Sequence, residues 1–337
     1  SEIYFRYDIF LSAIALMWMK LGLDISSSQI LIQGSFALYF FVIYLFGRRL
    51  FGNNVFAILF LVCLVLVRIY ASPSDIAIDP QGSPLRIDLW LLLLVLGYKY
   101  GPNHWSIGLA CGLMIIFHRT FGIIYTLAYL QLLAIIFTLS VFSIKERWCL
   151  VRVGLLLRTP AVSLVLLVGC LMISHVIFAA PDNNSYFRSL GLGFLKISAE
   201  SVYWYYPVVC ATVAGMLFYL RRTLPRRYFS TGIFLLLLSI GNSVYFFGRS
   251  HEWNLITISG PLLFAIFLGL DLFQRKLNME SAEGLKTNGV GRENINTIAA
   301  TILVLSVACV YAPNFYNKLN RQFEKVVSGE NTKVDVN

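Results

Sequence analysis

Long apolar runs separated by short polar gaps set the pattern of this chain. "NVFAILFLVCLVLVRIYA" (54–71), "FGIIYTLAYLQLLAIIFTLSVF" (121–142) and "NTIAATILVLSVACVYA" (296–312) each approach the length of a spanning helix. About 20 apolar residues in helical form cross a hydrocarbon layer of about 30 Å. The pattern predicts an all-α, polytopic membrane protein with about eleven spans. They fall near 8–23, 30–46, 54–71, 87–98, 104–117, 120–143, 160–180, 206–220, 229–247, 254–273 and 296–312. The fourth and fifth are short for a full crossing and read as tilted, broken or partly inserted. No alternating strand-like segments occur, which argues against a transmembrane barrel. The spans form one domain, 1–312, followed by a polar tail, 313–337.

Composition agrees with this pattern. Of 337 residues 58% are hydrophobic and only 13% charged, against about 25% charged in a soluble domain. The net charge of +10 is explained by where the cations sit. One set of gaps is dense in Arg and Lys: Arg48 and Arg49, Lys99, "KERWCLVRVGLLLR" (145–158), "RRTLPRR" (221–227) and "QRKLNMESAEGLKTNGVGREN" (274–294). The other set, which includes 71–88, 118–120, 181–206 and 248–254, is not. Cytoplasmic loops carry the Lys/Arg excess, so the first set is placed inside and the second outside. Membrane lipids, and no nucleic acid, are the partners this charge implies, and the location is the plasma (inner) membrane. The six cysteines stand singly with no CxxC spacing and read as packing residues. Ser1 is not Met and no signal peptide precedes it, so the natural start is expected upstream.

Three outer gaps hold candidate chemistry. In "GRSHEWN" (248–254) Arg249 offers a fork of donors suited to phosphate, and His251 can exchange a proton near neutral pH. Glu252 and Asn254 suit sugar hydroxyls or a metal. The alternative is a solvated turn marking the membrane edge. In "GSPLRID" (82–88) Arg86 and Asp88 stand at the mouth of an apolar run, where charge is costly unless paired or facing a polar cavity. Arg86 there either serves a site, snorkels to lipid phosphate, or pairs with Asp88. Asp79, with Asp75 on the same loop, is a candidate ligand for a divalent ion. In "IIFHRTFGIIY" (115–125) His118 and Arg119 mark a break that is either a plain turn or the lining of a cavity. Arg68, near a span end, reads as a snorkelling residue, and His175 as a packing residue. No Walker motif, GxSxG or HExxH occurs.

Several of these segments resemble the GT-C type of integral membrane glycosyltransferase. "YFFGRSHEWNLITISGPLLF" resembles the family's late outer turn and following helix, and "GSPLRIDLWLLLLVLGY" its loop-to-helix junction with Pro-Leu-Arg. "WSIGLACGLMIIFHRTFGIIYTLAYL" resembles a helix pair, and residues 1–52 the hairpin after the first outer loop. The resemblance implies a GT-C-like fold and transfer of a sugar from a polyprenyl-phosphate carrier to a lipid, glycan or protein at the outer face. It implies a catalytic acidic base in the first outer loop, which is not recognisable here and is expected upstream. It also places the start of the first hairpin outside, whereas the charge sorting places it inside.

A leaving carrier phosphate needs cations where its charge develops. Arg86, Arg119, Arg249 and His251 are the candidates. Asp79, Asp88, His118, Glu252 and Asn254 are candidates for sugar, acceptor or a divalent metal ion. The three patches are expected to converge on one anion-holding pocket at the non-cytosolic rim. The rival readings are a transporter or flippase of lipid-linked glycans, and a non-catalytic subunit of a membrane assembly.

Overall fold

The computed structural model describes residues 17–23, 28–70, 83–143, 161–162, 164–170, 172–173, 201–223, 225–248, 255, 258–282 and 295–327. These residues are all-helical, with no strand among them. In chain order the helices are α1 (Ser28–Leu50), α2 (Asn54–Val65), α3 (Pro84–Ile87), α4 (Trp90–Tyr100) and α5 (Trp105–Phe117). They continue as α6 (Arg119–Ser143), α7 (Tyr205–Leu220), α8 (Arg226–Gly248), α9 (Gly260–Ala282) and α10 (Ile295–Val327). A π-turn (Leu66–Tyr70) prolongs α2, and a 3-10 turn (Val202–Trp204) leads into α7.

Local chemistry sets the helix ends. The Asn53 side chain accepts the Val55 N–H at 2.9 Å and caps α2. Pro84 opens α3, where its missing N–H costs nothing. Gly101, at φ +89, ends α4 in a conformation side chains resist, and the His104 ring accepts the Ser106 N–H to begin α5. The expected break at 118 is real: α5 stops at Phe117 and α6 starts at Arg119. A Cβ on Gly122 would lie 2.4 Å from the Ile115 nitrogen, so the α5–α6 hairpin closes only around glycine.

Two spans, Ile30–Leu50 and Thr120–Leu139, are long and apolar enough to cross a membrane. Five further apolar helices, including Trp90–Tyr100 and Trp105–Phe117, are shorter. Helix α10 does not stop where a polar tail was expected to begin. It continues through Pro313 to Val327, so a proline in a helix interior bends or weakens the ladder without ending it here.

The bundle is organised around α8, which packs on α4, α6, α7 and α9, while α2 packs on α1, α9 and α10. Its core includes a run of rings from α1, α2 and α9, with Phe60 and Phe264 edge to face at 4.7 Å and Phe51 against Phe264 at 5.3 Å. Such pairs add about 0.5–1.5 kcal/mol each beyond simple burial.

The helices alternate between two ends. One end gathers the α1–α2, α4–α5 and α7–α8 connections with the C-terminal part of α9. Contacts across it include Gly52 with Asp271, Leu50 with Arg275, and Tyr98 with Tyr228. This is the end rich in Arg and Lys. The opposite end gathers the π-turn, α3, the α5–α6 break and the start of α9.

Candidate functional site

The candidate site lies at the end opposite the basic one. Arg68 sits on the π-turn and is only 1% exposed. A π-turn inside or at the end of an α-helix is often found at functional positions. Its guanidinium donates to Asp88 Oδ2 at 2.6 Å, with both side chains sealed from solvent. The other carboxylate oxygen, Oδ1, accepts the Trp90 indole N–H at 3.0 Å. The Tyr39 hydroxyl from mid-α1 stands beside this carboxylate. A Cβ placed on Gly260 would lie 3.2 Å from that hydroxyl, 3.2 Å from the Trp90 ring and 3.6 Å from Asp88 Oδ1. Glycine at 260 therefore lets the start of α9 close over the ion pair. The Phe36 ring lies 5.8 Å from the Arg68 guanidinium.

Arg86 and His118 form the second part of the site. Arg86 Nε donates to His118 Nε2 at 2.8 Å. The Phe121 N–H approaches Nδ1 of the same ring at 3.3 Å. A neutral imidazole cannot accept at both nitrogens. The shorter contact favours Nε2 as acceptor with the proton on Nδ1, which makes the Phe121 contact secondary. Burial, with the Arg86 guanidinium beside it, pushes the His118 pKa from 6.5 down to about 3. The ring is therefore neutral at physiological pH and acts as an acceptor for Arg86. Tyr125, one turn further along α6, donates its hydroxyl to the Ile87 carbonyl and ties α3 to α6. Arg86 is half-buried, in contrast to the sealed Arg68.

The structure thus brings together two of the three patches expected from sequence, around 86 and around 118. Arg119 begins α6, and its side chain lies outside the described residues, as do Asp79, Arg249, His251, Glu252 and Asn254. The flanks of the third patch nonetheless belong to this end. Ile258 accepts the Asn242 side-chain N–H at 3.2 Å, and Gly260 touches the Asp88 cluster.

Two expectations are corrected. Arg68 does not snorkel: it is buried, because Asp88 is available to neutralise it. Asp88 is not an open ligand for sugar or metal, since both of its oxygens already accept hydrogen bonds. Arg86, for its part, bonds to His118. Among the described residues this end holds a closed pair, Arg68–Asp88, backing a half-buried one, Arg86–His118. The signal for Arg68 was present in "LVLVRIYA", a cation inside an apolar run, which marks a functional position until its partner is found. Tyr39 carried no comparable signal.

A second buried carboxylate lies at the basic end. Asp271 accepts from Arg275 at 2.5 Å, one turn along the same helix. It also accepts from the Gly52 N–H, at 3.1 Å to each oxygen. Arg275 donates to the Leu50 carbonyl at 2.6 Å and lies 5.0 Å from the Tyr228 ring. This cluster ties the α1–α2 turn to α9, and among the described residues no pair like Arg86–His118 lies beside it.

Comparison with known proteins finds no match among protein families, curated proteins or solved structures.

Proposed function

We propose that this chain is a multi-pass inner-membrane protein, with about eleven spans and its basic end in the cytoplasm. We further propose that it acts as a GT-C-like glycosyltransferase on a polyprenyl-phosphate sugar at the opposite face. The orientation is supported by the clustering of Arg48, Arg49, Lys99, Arg221, Arg222 and Arg227 at one end of the bundle. The chemistry is carried by one observation, the Arg86–His118 pair at 2.8 Å. A neutral imidazole holds the guanidinium at Nε without neutralising it, so Arg86 keeps its positive charge at a half-buried position where an anionic ligand would be attracted.

In the proposed reaction an acceptor hydroxyl attacks the anomeric carbon and the bond to the carrier phosphate breaks. The bonding pair departs with the phosphate, and the acceptor proton passes to a base. Arg86 would stabilise the charge that grows on the leaving phosphate, with Arg249 and His251 as its expected companions from the α8–α9 connection. His118 positions Arg86, and Asp88, Arg68 and Trp90 keep α3 and α4 in register beneath it. Helices α4 and α5, of 11 and 13 residues, reach only about 16–20 Å at 1.5 Å per residue. That is short of a 30 Å slab, so a headgroup reaching this pair leaves bulk water for a lower-dielectric setting in which charge stabilisation is stronger.

The test is sugar transfer by the whole chain, reconstituted in vesicles, from a panel of radiolabelled polyprenyl-phosphate sugars. Arg86→Ala is expected to lower the rate by about 100-fold or more, and Arg249→Ala and His251→Ala to lower it as well. No transfer from any donor defeats the enzyme reading. Binding or translocation of the lipid without transfer would move the assignment to a transporter. Wild-type rates in Arg86→Ala would remove the proposed site.

A further inference from the structure

The two ends of the bundle handle positive charge in different ways. At the candidate site Arg68 has its own carboxylate. At the basic end six cations, Arg48, Arg49, Lys99, Arg221, Arg222 and Arg227, are exposed, and among the described residues none of them has a carboxylate partner. Where these cations are held, they are held by tyrosine rings: Arg48 lies 5.9 Å from the Tyr44 centroid and Lys99 lies 4.9 Å from that of Tyr100. The Tyr219 ring likewise faces Lys276 at 3.8 Å, and the Tyr228 ring lies 5.0 Å from Arg275, which is also paired with Asp271. A ring quadrupole orients a cation without neutralising it. Arg48 and Lys99 are thus oriented by rings, and none of the six cations is neutralised by a carboxylate among the described residues. Amphipathic tyrosines at this level also suit the boundary between hydrocarbon and headgroups.

We propose that this collar is a binding surface for anionic phospholipid headgroups, drawn by six exposed cations that have no carboxylate partner among the described residues. The inference rests on the multi-pass orientation above but not on glycosyl transfer. Each phosphodiester would receive donors from Arg and Lys side chains on neighbouring helix ends, the α7–α8 connection with its Arg221, Arg222 and Arg227 being the densest part. Attraction of this kind falls off within a Debye length, so it weakens with salt.

The experiment incorporates the full chain into vesicles of equal phosphatidylglycerol and phosphatidylcholine. The protein is extracted in mild detergent, and co-purifying lipid is quantified by mass spectrometry. Phosphatidylglycerol is expected to be enriched about tenfold over the feed ratio. The quadruple variant Lys99→Gln, Arg221→Gln, Arg222→Gln, Arg227→Gln should lose most of that enrichment. Extraction in 0.5 M salt should lose it from the wild type, a readout independent of whether the variant folds. Equal retention of the two lipids, or enrichment that survives both the salt and the substitutions, overturns the proposal. Displacement of phosphatidylglycerol by millimolar inorganic phosphate also overturns it, in favour of a soluble-anion site. A chain that fails to incorporate into vesicles at all refutes the membrane reading and the lipid site with it, whereas equal retention of the two lipids by an incorporated chain refutes the lipid site alone.

Discussion

Among the described residues two aspartate–arginine pairs hold a buried carboxylate, one at each end of the bundle, and they are built on opposite principles. Asp271 and Arg275 are neighbours on one helix turn, and the Arg275 side chain is 32% exposed. Any α-helix carrying Asp and Arg four residues apart brings them together. Asp88 and Arg68 come from different elements across the 71–82 segment, and their side chains are 0–1% exposed. Nothing local brings them together, and neither charge could stay inside without the other. The local pair fastens a turn. The long-range pair lies beside a second, half-buried pair, Arg86–His118. Buried charge held by tertiary contacts therefore distinguishes the two ends better than the abundance of charge does, since the basic end has far more exposed charge.

The comparison breaks most readily at Asp88. Asp88→Ala leaves the Arg68 guanidinium buried and unpaired, and an expected loss of about 3–5 kcal/mol should appear in denaturant unfolding of the detergent-solubilised chain. A loss no larger than that of Asp271→Ala would erase the distinction.

A pH series tests the neighbouring histidine. The folded His118 pKa, about 3, lies below its ordinary value of 6.5, so the unfolded chain takes up the proton first. The stabilising contribution is complete above pH 6.5 and is lost as pH falls toward 3. At pH 5 the loss should be about 2 kcal/mol, read as a lower unfolding midpoint than at pH 7.5. His118→Gln should flatten that slope. An equally steep slope in the variant would assign the pH dependence to other groups.

Glycine substitutions sharpen the contrast further. Gly260→Ala places a methyl 3.2 Å from Trp90 and Tyr39, packed rings that cannot easily move, and should cost about 1–2 kcal/mol. Gly52→Ala at the other end meets the Arg275 side chain at 2.6 Å, and that chain can swing outward. Its cost should stay under about 1 kcal/mol, with unfolding midpoints of the two variants read side by side. The smallest effect is expected from Arg275→Gln, about 1 kcal/mol or less because that side chain is partly solvated. A double-mutant cycle with Asp271→Asn gives the pair's own coupling.

Much of the helical frame was legible along the chain. The breaks near Pro84, Gly101 and His118 carry their own punctuation, and the expected spans at 30–46, 54–71 and 206–220 lie on helices 28–50, 54–70 and 205–220. Arg86 and His118 were both legible as candidates. Their contact was not, because it joins positions 32 residues apart through the α5–α6 break. Arg68 was misread because snorkelling and burial look alike from a single apolar run. The choice between them depends on a carboxylate 20 residues away.

The amino-acid order determined where helices form, where they stop and which end of the bundle is basic, because apolar periodicity, caps and charge distribution act over a few residues. Tertiary packing alone decided which charge meets which. Asp88 lies two positions from Arg86, yet residues two apart on a helical turn do not face one another. Asp88 turned instead to Arg68 and Trp90, and Arg86 to His118. Ion pairs form between side chains that share a space, and in this chain the crossing of α2, α3, α6 and α9 creates that space.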